Sequence, residues 1–457
     1  IGTDREAADL GNLGDGIQIE DSIGTVVGSV ALALGNAISN NGGNGVVVKD
    51  VSASLLPYGA SIIGNEIQSN GQAGVLVQGG RNNLIGGPEI NAGNFIAGNG
   101  DGVVLASSLI STTSGNLVEG NTILSNLVDG VRVEYGLANT INGNETSSNG
   151  QAGIRLFRVD ATAGEDCDRC QQTGRYNTTN IVTRNLVEKN GDNPLNGGIV
   201  LEFSSGQMIG GDPNEGLGNE VFGNLGSGIV VLGGQGADVS RLNTIRGNFL
   251  GGTADGSTTS ANFGDGIRVQ AAITNLITEN SVTASEGSGI AIENALATSL
   301  IRGNVVKTNT VTGSEVGIRV TGGSRHQIGT TLASEGNAVY GNRSDGIVVE
   351  RSSGLGPAVS VVVRNNQIGI DTNNLAEGNG GYGLRITDSV GTMVDYANVI
   401  RNNDAGGVLI EGGSDTTVGT TQTSRYEFRY YRTLDLAIPF RGNTVSGNEG
   451  DGVTIQN

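Results

Sequence analysis

Few residues of this 457-residue chain can carry chemistry, because only 16% are charged and it holds one histidine and two cysteines. His326, in "SRHQIG", has no second imidazole to work with, and in a connecting turn it reads as a surface or satisfied side chain rather than a general base. Arg132, Glu134, Arg155 and Glu202 form the best catalytic set, since each falls at an outward position of a short strand. A guanidinium and a carboxylate on neighbouring strands can bind a uronate and remove its proton, and cross-strand ion pairs have the same composition. Asp precedes a strand-leading glycine at Asp15, Asp101, Asp129, Asp265, Asp345 and Asp451. Asp101 and Asp129 stand one repeat apart, where a Ca²⁺ ion could bridge them, although plain Asp-Gly turns are the expected reading and no cofactor is required. Cys167 and Cys170 in "CDRC" are half a zinc site without a second half, so a local disulfide is expected. In "SRYEFRYY", Tyr426, Phe428 and Tyr430 share one side of an extended segment while Arg425 and Arg429 share the other. That arrangement suits stacking on sugar rings, a protein interface, or an aromatic side folded down onto the body.

The elements that position these residues come from a repeat. "GNEIQSNGQAGVLV" at 64–77 returns as "GNFIAGNGDGVVL" at 93–105 and "GNTVSGNEGDGVTI" at 442–455. Aligning on Gly, apolar, any, apolar gives fifteen short strands, from the one led by Gly16 to the one led by Gly452. The apolar pair of each strand, Val75 and Val77 for example, has period two and must share one face. Before most of these strands stands Asn-x-apolar-x-x-Asn, as in Asn65/Asn70, Asn94/Asn99 and Asn121/Asn126. This predicts a second strand and a tight turn, with Asn side chains hydrogen-bonded in a ladder from one coil to the next. Two strands and a variable third side per coil predict parallel stacking at about 4.8 Å. Val47, Leu76 and Val104 are apolar at outward positions, which predicts a covered interface stripe. Val200, Val230 and Leu232 predict a second one, beneath the insertion that carries the cysteines.

The repeat resembles the right-handed parallel β-helix proteins of the pectate-lyase-like superfamily, over essentially the whole chain. Longer units at 1–19, 250–269 and 368–386 are similar to a variant of large bacterial surface proteins. The resemblance implies an all-β, right-handed parallel β-helix of about 15 coils, one domain over residues 1–457 with insertions at 157–180 and 420–440. Family enzymes degrade or epimerise acidic polysaccharides, and the Asn-Thr-Asp, Asp-Asp and Gly-His-Gly segments of polygalacturonase-like members do not occur here.

A net charge of −19 argues against nucleic acid as a partner. No stretch reaches the roughly 18 apolar residues of a membrane span. Low Lys with high Asn, Gly and Thr suggests a secreted, cell-surface or matrix protein. The expected function is a structural or adhesive rod that associates with itself or with other surface proteins. The alternative is a polysaccharide-binding or polysaccharide-degrading β-helix. The sequence opens at "IGTD" and stops at "GVTIQN" in mid-coil, which suggests either a fragment or end-to-end filament assembly.

Overall fold

The computed structural model describes all residues except 3–9, 32–34, 51–58, 109–110, 162–177, 192–195, 235–237, 294–302, 352–357, 420–441 and 457. The chain divides into two compact units, Ile1–Arg268 and Val269–Asn457. In the first unit eight coils each give one strand to each of three parallel sheets, and in the second unit six coils do the same. The strand Ile267–Gln270 falls at the boundary. Pairing is in register from coil to coil: Val46 faces Val75, Val75 faces Val103, and Val103 faces Val131. These four side chains lie in the core and are fully buried.

The first sheet is built from the Gly-apolar-x-apolar strands, among them Val46–Lys49, Ala73–Gln78 and Asp101–Ala106. Their leading glycines answer a steric demand. A Cβ on Gly74 would lie 2.6 Å from Ile96 Cγ2, 2.8 Å from the Gly102 carbonyl and 3.0 Å from Asn99 Nδ2. On Gly45 it would meet the same three kinds of atom one coil earlier. The chain therefore turns into the strand against an inward Ile and a ladder Asn, and only glycine leaves room for both.

Strands such as Glu66–Gln68 and Phe95–Ala97 form a further sheet, as the Asn-x-apolar pattern implies. The third side is more regular than the sequence suggests. It too is a sheet, made of three-residue strands such as Leu84–Gly86, Leu117–Glu119 and Thr140–Asn142. Each turns a single apolar residue inward (Ile85, Val118, Ile141), too few to display a period of two.

Asparagine ladders seal the corners of the coils. Asn99 sends its backbone N–H and its Nδ2 to Asn126 Oδ1, at 3.0 and 3.1 Å, and gives its other amide hydrogen to the Ile67 carbonyl. Asn94 treats Asn121 in the same way on a second corner. The third corner has a ladder of its own through Asn83, Asn116, Asn139 and Asn180 to Gln207. Buried amides are thus satisfied by one another and by strand carbonyls, which removes the cost of burying them.

His326 is not in a surface turn. It is fully buried at the third-corner position of the second unit, where Nδ1 accepts the Asn304 backbone N–H at 3.1 Å, the duty an asparagine oxygen performs elsewhere. Its Nε2 has no partner, and burial pushes its pKa down to about 4.

Candidate functional site

The outward face of the first sheet in the first unit carries the sequence-nominated residues in one column. Register sets Val47, Leu76, Val104, Arg132, Arg155, Val200 and Val230 side by side on successive coils. Val47 and Val104 are only 6% and 4% exposed, and Leu76 is part-buried. The register places the apolar stem of Arg132 beside Val104, so part of the cover comes from the face itself. Val200 and Val230 are fully buried, packed with Ala152 and the partly buried Leu232.

The two arginines are held in ion pairs from coil to coil. Arg155, 8% exposed, places Nε 2.9 Å from Asp129 Oδ2, Nη1 2.9 Å from Glu202 Oε2 and Nη2 3.1 Å from Asn196 Oδ1. Arg132 places Nη2 3.0 Å from Asp101 Oδ2, with Glu134 Oε2 at 3.7 Å from Nη1. Burial raises the Asp101 carboxyl above its ordinary range, opposed by the Arg132 charge and by the Asp129 backbone N–H.

The aspartates before the glycines do more than form turns. Asp129 Oδ1 accepts the Ala152 N–H at 2.9 Å, Asp101 Oδ1 accepts the Asp129 N–H at 3.2 Å, and Asp15 Oδ1 accepts the Asn44 N–H at 2.7 Å. The second unit repeats the device: Asp345 accepts the Tyr382 N–H at 2.7 Å and pairs with Arg385 at 2.6 Å. An aspartate on one coil thus clamps the backbone and the arginine of the next. A device used in both units is architecture, and it leaves Asp101 and Asp129 committed to N–H groups and guanidiniums. Among the described residues no group of three or more His, Cys, Asp or Glu side chains gathers to hold a metal.

The coils of Arg132, Arg155 and Val200 carry aromatic residues, of which the sequence reading placed Phe157 on the outward face beside Arg155 and passed over Tyr135 and Phe203. On several coils of the first sheet the position after the strand adopts a left-handed turn, held by Asp21 and Asp50 (φ 50° and 52°), by Gly79 (φ 72°) and by Ala271 (φ 51°). On the Arg132, Arg155 and Val200 coils it holds Tyr135, Arg158 and Phe203 instead, with φ of 53°, 50° and 51°. Phe157, the last residue of the strand Ile154–Phe157, stands between them. Its ring centroid lies 6.4 Å from that of Tyr135 and 6.3 Å from that of Phe203, both edge-on. The Arg158 guanidinium sits 5.4 Å above Phe157 and 5.8 Å above Phe203, and donates to Tyr135 Oη at 3.3 Å. Tyr135 is 47% exposed. The residue directly after Gly-apolar-x-apolar-x was the signal that could have found this column. Cys167, Cys170, Arg425, Tyr426, Phe428, Arg429 and Tyr430 lie outside the described residues, as does most of both insertions.

Residues 55–250 match the family model described as right handed beta helix region, and residues 160–343 match that of the periplasmic copper-binding protein NosD. A search of curated proteins found no match. Among solved structures, the A-module of the Azotobacter vinelandii mannuronan C-5 epimerase AlgE6 is 16% identical, with 91% of each chain covered and a TM-score of 0.45. A mutant of the periplasmic alginate epimerase AlgG is 14% identical over 90% of this chain and 73% of that one, with a TM-score of 0.36. The Dettilon tailspike protein is 15% identical over 90% and 62%, with a TM-score of 0.41. Copper favours thiolate, thioether or imidazole ligands. The one imidazole here is sealed in a ladder with Nδ1 occupied, so the described residues do not fit a copper site. The coil-by-coil pairing of three parallel sheets and the match over residues 55–250 agree on the fold, a right-handed parallel β-helix.

Proposed function

We propose that this chain is an exported, adhesive β-helix that binds polysaccharide along the edge formed by Tyr135, Phe157, Arg158 and Phe203. The observation that carries the reading is the row of rings itself, with Phe157 edge-on to Tyr135 and Phe203 at 6.4 and 6.3 Å and the Arg158 guanidinium over two of the three. A bulky residue in the left-handed region costs on the order of 1 kcal/mol, and the chain accepts that cost at Tyr135, Arg158 and Phe203, where Asp21, Asp50, Gly79 and Ala271 serve other coils. The result is a line of edge-to-face rings with a guanidinium over two of them, which suits apolar pyranose faces and their hydroxyls. Export is supported by the periplasmic family matched over residues 160–343. The face beside the row favours binding over catalysis, because Arg132 is already paired with Asp101 and Arg155 with Asp129 and Glu202.

Affinity electrophoresis of the full chain through gels containing dissolved polysaccharides tests the proposal. Retardation by at least one polymer is expected, reduced by Tyr135→Ala and Phe203→Ala, with no new reducing ends or unsaturated products after long incubation. Equal mobility in every gel would refute it.

A further inference from the structure

The charge around the aromatic row sets the class of glycan. This inference rests on the polysaccharide-binding reading and runs against the acidic substrates that the β-helix resemblance implies. Asp101, Asp129, Glu134 and Glu202 stand on the adjoining strands and their approaches, and Asp238 acts electrostatically on Arg158 together with Glu202. Three guanidiniums face them, those of Arg132, Arg155 and Arg158. The patch therefore carries a surplus of two negative charges, within a chain of net charge −19. Two of the three cations are unavailable to a ligand: Arg155 is nearly buried between Asp129 and Glu202, and Arg132 is paired to Asp101 with Glu134 alongside. The third, Arg158, already lies over two rings and within reach of Tyr135 Oη.

A uronate carboxylate approaching the row would meet the partly exposed carboxylates of Glu134 and Glu202, and the guanidinium nearest to it, that of Arg158, is already engaged with two rings and Tyr135 Oη. Like charges at such range disfavour binding. A hydroxyl or an ammonium group meets acceptors instead, with ring faces open to cation–π contact at Tyr135. We infer that the Tyr135–Phe157–Phe203 row takes neutral or amino-bearing glycans and rejects uronates.

The experiment is a binding titration of the full chain with three soluble oligosaccharide series of equal length: a neutral glucan, a glucosamine oligomer and a uronate oligomer. It is run at low and high salt. The expected order is glucosamine at or above glucan, with the uronate at least about tenfold weaker than either, and added salt weakening only the glucosamine series. Asp238→Asn, on the surface and outside the ring contacts, should narrow the gap between uronate and glucan by about threefold. Tightest binding to the uronate overturns the charge argument while leaving polysaccharide binding intact. Binding of none of the three series by a chain whose circular dichroism shows it folded overturns the polysaccharide-binding reading itself, and this inference with it.

Discussion

His326 should make one coil of the second unit acid-sensitive, and the size of the effect follows from its surroundings. Nδ1 accepts the Asn304 N–H, so the neutral ring carries its proton on Nε2, which is buried and has no acceptor. Protonation would place a second N–H against the Asn304 donor and a charge in an apolar interior. Burial is the sole cause of the depression to about 4 from the ordinary 6.5, and no charged neighbour contributes. With the folded pKa below the unfolded one, the stability contribution is complete above about pH 6.5 and is lost as pH falls toward 4. Linkage over that interval amounts to roughly 2 to 3 kcal/mol by about pH 4.5, or between one and two orders of magnitude in protection of the amides that open with this coil. Hydrogen exchange is the suitable assay, since a solenoid can open coil by coil and one midpoint would average over units. Protection factors for peptides covering residues 303–328 are compared at about pH 7.5 and 4.5 in the parent and in His326→Asn. Asn restores the oxygen that every other ladder position offers to the preceding N–H, so the variant should hold its protection at low pH and lie within about 1 kcal/mol of the parent at neutral pH. An equal loss in both proteins would trace the acid sensitivity to carboxylates elsewhere and refute the argument.

Gly74→Ala should cost more than about 3 kcal/mol or prevent folding of its coil, because the new Cβ meets Ile96 and a carbonyl at distances no side-chain movement relieves; thermal unfolding reads this directly. Asn121→Ala removes the acceptor of two Asn94 donors and a donor to Asn144, so a loss of about 3 kcal/mol is expected in denaturant titrations. Asp129→Ala leaves the nearly buried Arg155 with Glu202 alone as counter-charge and should cost about 3 kcal/mol, whereas Asp129→Ala with Arg155→Met should recover part of that loss. Were the double variant no more stable than the single one, the clamp would not be electrostatic.

What the sequence disclosed depended on how many residues carried each signal. Fifteen strand-leading glycines and paired asparagines were legible because each packing demand recurs on nearly every coil. The third sheet was not, since one inward residue per strand is indistinguishable from a loop. His326 was left between a surface and a satisfied side chain, because the residues beside it in "SRHQIG" gave no sign of the ladder it joins; the third-corner column of Asn275 and Asn304 identifies its position. The candidate site shows the converse problem. Arg132, Glu134, Arg155 and Glu202 were correctly assigned to one face, but residue type alone could not separate a catalytic guanidinium from a clamped one. The separating feature is relational: an Asp immediately before the glycine of one coil and an outward Arg on the next. Asp101 with Arg132, Asp129 with Arg155 and Asp345 with Arg385 satisfy it in two independent units, and such arginines belong to the scaffold. The same comparison of coils brings Tyr135, Arg158 and Phe203 forward, because they put two rings and a guanidinium where Asp21, Asp50 and Gly79 stand on earlier coils. In a chain built from repeats, obedience to the coil is explained by packing, and the residues that break its rules at an energetic cost are where function is to be sought.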